Sequence, residues 1–554
     1  MSLPAFSTQS ELFSTAGLSR SLFEPTDRYR LFAKLVYPRL AQVRSELAGC
    51  YCEENGRSAV EPVLLLGVSV LQYVEGVPDR QAVERLKYHA GWSFALNRQI
   101  GDELFHPTTL VNFRQRLVEH DLSLVAFGMV LEALIEAGLV PRQSRQRLDS
   151  TQMFGRVSRM SRLDCVRETL RLALQELAGA LEAQARPRFW AAQWERYVEN
   201  QLDYRLSAEG LTRKLAEAGA DAYQLLEWLR RQAQWAQGEQ AQLLARVFGE
   251  HFEVLPGAAE PQVKGKEQLD SARVRNPHDP EATYASKGHG SHRKEHVGYK
   301  VQVAETVNEA VLAPGEPTGN FIVGMTTHAA HESDHAGAQK LAAEQAALGL
   351  EKPPVQYVDS NYVSGQQLAA AAAEGRELIG PAPGTPGDNA GLFTTEQFLV
   401  QVEERKAVCP AGRPHTQCTR TTREQTGKVS FRFAWTTHCA SCGLRQQCIE
   451  PQQKFRQVIV GEHHSALQAR RQEQRTVAFK QRMKHRQAIE GTQSELVRAH
   501  GLRHARYRGL AKVQLQNYFI GAACNVKRWI RREVWKLKQA ASVGALQVAS
   551  ATAG

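Results

Sequence analysis

Between residues 296 and 381 the apolar pattern changes period several times, and that order limits the fold more than any other feature of the chain. His296–Val303 alternates, with Val297, Tyr299, Val301 and Val303 on one face, as in a β-strand. Asn320–Thr326 is a second short apolar run. Residues 333–349 are rich in Ala and Leu and read as a helix. Val355–Ser360 is a short strand ending in a carboxylate, another Ala-rich helix follows, and Glu377–Pro381 is a further strand. Strand, strand, helix, strand, helix, strand is the order of a mixed α/β core.

At 554 residues the chain exceeds one hydrophobic core, so roughly two to four domains are expected. Residues 1–26 read as irregular and residues 27–140 as a helical N-terminal domain. Leu64, Leu65, Val68, Leu71 and Val74 form a helical stripe broken at Gly76-Val77-Pro78-Asp79, and His106-Pro107-Thr108-Thr109 starts a helix that continues through Arg114. Arg145–Thr151 reads as a short strand ending at or near Asp149. Residues 160–256 return to helix: Leu170, Leu174, Leu177 and Leu181 share one face, and Leu225–Leu244 reads as a further helix. Residues 257–295 are loop-like, including the basic, Gly- and His-rich Lys287–Lys294, and Gly384–Gly391 is a turn-rich linker. Residues 400–455 are Cys-rich, 462–498 read as one long helix, helix continues to about 537, and 538–554 read as a disordered tail.

The formal charge of +11 is concentrated. Residues 471–540 hold 17 Lys/Arg against 4 Asp/Glu, so the rest of the chain is slightly acidic. Tyr507, Tyr518, Phe519 and Trp529 interleave these cations, which favours a phosphate backbone as partner over a merely solvated helical face. No apolar run is long enough to cross a membrane, and the N-terminus has no basic-then-apolar leader. The expected location is therefore cytoplasmic, associated with the nucleoid.

Asp149 and Asp359 each close a predicted strand, where ligand sites of α/β sheets gather; alone, either would read as a turn or cap. Glu490 adds a third carboxylate within a basic helix, with Arg486 one turn earlier on the same face. His328, His331 and Asp334 could suggest a metal cluster, but they read as the polar start of the 333–349 helix.

Five of the nine cysteines fall between Cys409 and Cys448. Cys439 and Cys442 form a CxxC, Cys448 follows, and Cys409 is the fourth candidate ligand with Cys418 as competitor. Such a set suits a structural Zn²⁺ that would pin an insertion otherwise poor in core; the alternative is five unpaired cysteines on a loop. His438 is a weaker candidate; Cys50 and Cys52 are too close together, and Cys165 and Cys524 read as helix-packing residues.

In this order the motifs resemble the DDE transposases of bacterial insertion sequences. The N-terminal pieces are Gly76-Val77-Pro78-Asp79-Arg80 and Pro107–Arg114. Leu148-Asp149-Ser150-Thr151, His296–Lys300 and Val358-Asp359-Ser360-Asn361-Tyr362 follow. The last are Ile489-Glu490-Gly491, Arg506–Leu510 and Asn525-Val526-Lys527-Arg528. The resemblance spans most of residues 30–535 and implies a ribonuclease H-like mixed sheet assembled from 141–159, 257–399 and 456–537. It departs where the family often has Tyr and Lys around the third carboxylate: Met483 and Val497 stand there, with Arg498 beside the latter.

The resemblance implies two Mg²⁺ ions, replaceable by Mn²⁺, held by Asp149, Asp359 and Glu490 for strand hydrolysis and strand transfer. It implies double-stranded DNA as partner, both element ends and target, with a homodimer on paired ends. Arg486, Arg498, Arg503, Arg506, Arg508, Lys512, Lys527, Arg528 and Arg114 are the expected DNA contacts. The competing readings are a catalytically decayed transposase, a nuclease that only hydrolyses, and a zinc-containing DNA-binding regulator.

Overall fold

The computed structural model describes residues 20–52, 58–99, 102, 104–200, 207–288, 293–384, 391–424 and 427–552. Most of the irregular N-terminus and of the Gly384–Gly391 linker lies outside these residues.

The N-terminal helices include α1 (Arg28–Leu35), α2 (Pro62–Glu75), α3 (Asp79–Tyr88), α4 (Thr108–Glu119) and α5 (Val125–Glu136). Asp27 starts α1 by accepting the Tyr29 N–H at 2.7 Å. Helix α2 is buried on every side from Pro62 to Val74, so its expected stripe is only part of its packing surface.

The sheet begins at β1 (Gln146–Phe154). The helical insertion follows, with α6 (Arg162–Ala180), α7 (Ala208–Arg230) and α8 (Glu239–His251). The expected helix over 225–244 is corrected here: α7 ends at Arg230, Trp228 stacks on Trp235 at 5.7 Å, and Gly238 precedes the restart. Strands β2 (Thr283–Lys287), β3 (Lys294–Thr306) and β4 (Ile322–Ala329) come next. After them run α9 (Asp334–Ala347), β5 (Val355–Tyr357), α10 (Gly365–Ala373) and β6 (Glu377–Ile379). Residues 287 and 294 are thus strand residues paired with each other, not loop.

The spatial order is β2-β3-β1-β5-β6, with β4 also paired to β3. β1 is antiparallel to β3 and parallel to β5, β5 is parallel to β6, and β4 is antiparallel to β3. This is an α/β ribonuclease H-like sheet. A side chain at Gly298 would collide with the Met153 carbonyl and the Gly155 N–H, so the β1–β3 contact requires a glycine there.

The Cys-rich segment is not a bare loop. It contains the pair β7 (Leu399–Gln401) and β8 (Lys406–Val408). It also holds an antiparallel sheet of β9 (Gln417–Thr422), β10 (Val429–Ala434) and β11 (Gln457–Gly461). Phe398, Phe431, Phe433, Trp435, Val458 and Val460 give it a core of its own, which corrects the expectation that it lacks one.

The expected helix over 462–498 is broken into α11 (His464–Glu473), α12 (Val477–Arg482), a single turn at Lys484–Gln487 and α13 (Ile489–His500). Thr476 accepts the Phe479 N–H and restarts the chain as α12, and Gly501, at φ 73°, ends α13 in the left-handed region. Helix α14 runs from Leu510 to Thr552. The expected disordered tail is therefore helical to Thr552: its Ala-rich sequence, free of proline, propagates a helix already nucleated by packing.

Helix α14 lies against β4 and against α1, α2, α4, α5 and α13. One continuous hydrophobic core includes Leu65, Phe113 and Phe127 of the N-terminal helices, Val301 and Val303 of the sheet, and Phe519 and Val526 of α14. The helical insertion has a separate core built on Leu170, Leu174, Leu177, Leu225 and Val247.

Candidate active site

Asp149 lies in the middle of β1, not at its end. β3 supplies partners for the whole strand, from Gln146↔Thr306 to Phe154↔Gly298, with Asp149 opposite Val303. Ladder pairing thus overrides the turn-like look of Asp-Ser-Thr. Asp149 is 8% exposed. Burial raises its pKa; the Arg486 guanidinium and the Ser150 N–H oppose that rise, while Asp359 and Asp334 add to it.

Asp359 stands just past β5. The strands pair in parallel at Gln146↔Gln356 and Arg147↔Tyr357, and from just past this pairing Asp359 acts electrostatically on Asp149. Its carboxylate accepts the Asn361 N–H at 2.8 Å and caps the turn Ser360–Tyr362. Glu490 is the second residue of α13, with its side chain 71% exposed.

Several bonds dock α13 and the turn before it onto the sheet. Arg147 Nη1 donates to the His485 carbonyl at 3.2 Å, and Gln493 Nε2 donates to the Ser150 carbonyl at 3.2 Å. Thr492 Oγ1 donates to Glu305 Oε1 at 2.8 Å. Glu305, 1% exposed, also pairs with Arg147 at 2.5 Å and with Arg528. A buried carboxylate between two buried arginines thus ties β1, β3, α13 and α14 around the place where Glu490 emerges.

Arg486 fills the space between two of the carboxylates. Its Nη2 donates to Asp149 Oδ2 at 3.0 Å, and its Nη1 lies 3.7 Å from Glu490 Oε1. Asp149, Asp359 and Glu490 do not close into one ligand set within 4.8 Å. They nevertheless fit a divalent cation: the donors are hard carboxylate oxygens, Asp359 and Asp334 press like charge on Asp149, and a cationic group already bridges two members.

The sequence reading did not include Asp334 in this group. It is the first residue of α9, capped by Ser333, and its Oδ1 accepts from Ser150 Oγ at 2.8 Å and lies 3.1 Å from Lys300 Nζ. Nothing local signals this, because the partners come from β1 and β3. His328 does not join it in a metal site: it is buried in β4, 3.1 Å from Gln302 Nε2, while His331 is exposed.

The basic residues separate into two groups. Arg498, Arg508 and Lys512 are exposed. Arg503 is half-buried and donates to the Gln152 carbonyl at 3.2 Å; the Arg506 guanidinium sits 4.7 Å from the Tyr73 ring centroid. Arg114 and Arg528 correct the expectation of DNA contact. Arg114, 5% exposed, is gripped by Asp79 at 3.1 and 2.5 Å, and Arg528, 8% exposed, is engaged by Glu305 and Glu495. Lys527 is half-buried, and burial and Arg531 lower its pKa.

At the sequence departures, Met483 packs beside Phe479 and Tyr357, and Val497 lies against the main core with Arg498 facing solvent. Cys524 is buried as expected of a packing residue. It lies with Glu495 and His500 in a group of ligand-type atoms within 4.8 Å of one another, but Glu495 is already paired with Arg528 and Arg531.

Cys409, Cys439, Cys442 and Cys448, with His438, line one small cavity of about 30 Å³, whereas Cys418 lies on β9 outside it. Burial pushes the Cys448 thiol up to about 11; Arg456 opposes this, and Cys439, Cys409 and Cys442 reinforce it. No three of these thiols stand within 4.8 Å of one another, so they surround the cavity more widely than zinc–sulfur bonds of about 2.3 Å would hold them.

Two family models match the chain: a transposase DDE domain over residues 408–530, and a transposase domain (DUF772) over residues 19–116. The first spans the Cys-rich sheet, Glu490 and much of α14, and the second spans the first four named helices up to Arg116. No curated protein and no solved structure matches the chain. Among the described residues no helix is long and apolar enough to cross a membrane.

Proposed function

Since the chain belongs to the DDE transposases of insertion sequences, we propose that it binds the ends of its own element and cuts and rejoins DNA at Asp149, Asp359 and Glu490. The observation that supports this reading is Arg486, which donates to Asp149 in the central strand and lies 3.7 Å from Glu490, with Asp359 acting on Asp149 from just past the neighbouring strand.

Asp149, Asp359 and Glu490 would hold two Mg²⁺, or Mn²⁺. Bound there, the ions would supply activation of the attacking oxygen and stabilisation of the leaving one. The chain's own part is placement. Asp149 is fixed by nine residues of strand pairing, and Glu490 by the Thr492–Glu305 and Gln493–Ser150 bonds. Arg486 balances the charge of Asp149 by donating to its Oδ2, and its guanidinium could also meet a strand phosphate. Arg498, Arg508 and Lys512 are the exposed cations best placed to follow the duplex. Two ends must meet at one target, so the active form is a homodimer.

The proposal includes a structural zinc at Cys409, Cys439, Cys442 and Cys448, whose thiols would have to draw together from their present spacing to hold it. Metal analysis of purified protein should find one equivalent, lost in Cys442→Ser and kept in Cys418→Ser. Equal zinc in both variants would remove this assignment.

The function is tested by strand cleavage on the DNA flanking the chain's own gene, in Mg²⁺ and in Mn²⁺, with Asp359→Ala alongside. Nicks at defined ends that need metal and vanish in the variant support the reading. End binding with no cutting by either protein would point to a decayed enzyme or a regulator.

A further inference from the structure

The root of the helical insertion gathers four arginines with few acids to pair them. The chain leaving β1 brings Arg159 and Arg162, and the chain returning to β2 brings Arg273 and Arg275. Together with Ser161 and His251 they line a cleft of about 330 Å³. Among the described residues only Arg159 of the four has an ion-pair partner, Glu295 at 2.8 Å. Among the described residues no carboxylate oxygen lies within 4.0 Å of the other three guanidiniums. Arg162 donates to neutral acceptors: His251 Nδ1 at 3.1 Å, the His251 carbonyl at 3.1 Å and the Lys264 carbonyl at 3.0 Å. Arg273 donates to the Asp270 carbonyl at 2.8 Å. Glu250, which acts on Arg273 from a distance, is already held by Arg246 at 2.9 Å and by the Val274 N–H at 2.8 Å.

Arg275 is the most telling member. It is 7% exposed, lies 4.8 Å from the Tyr284 ring centroid, and its Nε has no partner. A buried guanidinium without a carboxylate is costly. Burial, then Arg273 and Arg159, pull its pKa down to about 10, so at neutral pH it is still charged. His251, 1% exposed, adds a second donor. Its Nδ1 accepts from Arg162, so the ring proton is on Nε2, which has no partner.

We propose that this cleft is a phosphodiester-binding site that takes a backbone phosphate of a DNA strand, with Arg273 and Arg275 as its ligands. The proposal rests on the DNA-binding reading and adds to it a contact outside the carboxylate centre. Arg159 follows Asp149 by ten residues, which bounds their separation at about 35 Å. Phosphates of one strand recur every ~3.4 Å along the duplex axis, so the one engaged lies within roughly ten nucleotides of the reacting bond. The insertion would then clamp the duplex flanking the cut.

The test uses the full chain, a fluorescein-labelled duplex, and anisotropy across a salt series. Arg273→Gln should bind more weakly at low salt and flatten the plot of log K against log salt by about 0.9, the loss of one phosphate contact. Arg273→Lys should restore the slope. An unchanged slope in Arg273→Gln, with wild-type binding intact, overturns this cleft and leaves the wider DNA reading standing. Absence of duplex binding by the wild type overturns both. A melting-temperature rise with inorganic phosphate, absent in Arg273→Gln and without duplex binding, would make the cleft a site for free anions. Phenylglyoxal labelling of the wild type needs no variant. The duplex should protect Arg273, and equal labelling with and without it counts against the proposal.

Discussion

Arg486 joins its guanidinium to Asp149 Oδ2 at 3.0 Å, linking the turn before α13 to the middle of β1 across 337 residues of sequence. A guanidinium and a divalent ion compete for that oxygen. Arg486→Gln should therefore bind Mn²⁺ more tightly, by up to about tenfold, the scale of one charge-assisted hydrogen bond. Electron paramagnetic resonance of free Mn²⁺ measures this, and weaker or unchanged binding would count against the competition.

Glu305 is the buried partner of both Arg147 and Arg528 and the acceptor for Thr492. Glu305→Ala leaves the buried Arg147 guanidinium without a counterion and Arg528 with Glu495 alone. Urea unfolding should show a loss of about 3–5 kcal/mol. A loss under about 1 kcal/mol, the scale of an exposed pair, would mean that water reaches the triad.

Arg114 and Arg498 should separate cleanly. Arg114→Ala should lower the melting temperature and leave the salt slope of DNA binding unchanged, because Asp79 already holds that side chain. Arg498→Ala should leave melting unchanged and flatten the slope by about 0.9. Exchange of these two outcomes would reverse the assignment.

Glu344 gives the pH dependence of stability. Burial raises its pKa to about 7, against the smaller opposing effect of hydrogen bonds from Thr326 and Tyr518. The folded protein therefore holds a proton that the unfolded chain releases near pH 4.5. The stabilisation is complete below that pH and is lost as pH rises to about 7, a span worth up to about 3 kcal/mol. Glu344→Gln should match wild type near pH 4.5 and be more stable at pH 8. Parallel stability curves for the two proteins would show that the carboxyl stays solvated.

The core strands and helices were readable in the sequence because each is set by local period: β3, β4, α9 and β6 lie where the pattern put them. What escaped depends on distant partners. β1 runs past Asp149 because β3 extends alongside it. Arg114 and Arg528 look like surface cations until Asp79 and Glu305 are folded against them. The site was legible as three carboxylates in order, but Asp334 was not, since its partners Ser150 and Lys300 lie on two other strands. The sheet in the Cys-rich segment carries a weak local signal, because the alternation at Phe431 and Phe433 is short and its pairing partners lie on separate strands.

The core shared by the N-terminal helices, the sheet and α14 has a consequence for how such a chain can be divided. A product begun after residue 140 would still encode all three carboxylates. It would also expose the face of α14 that α2, α4 and α5 now cover, an apolar surface that drives aggregation. The N-terminal helices and the sheet that bears the carboxylates are therefore inherited together, whereas the helical insertion, with its own interior, is the part that recombination could exchange without unfolding the rest.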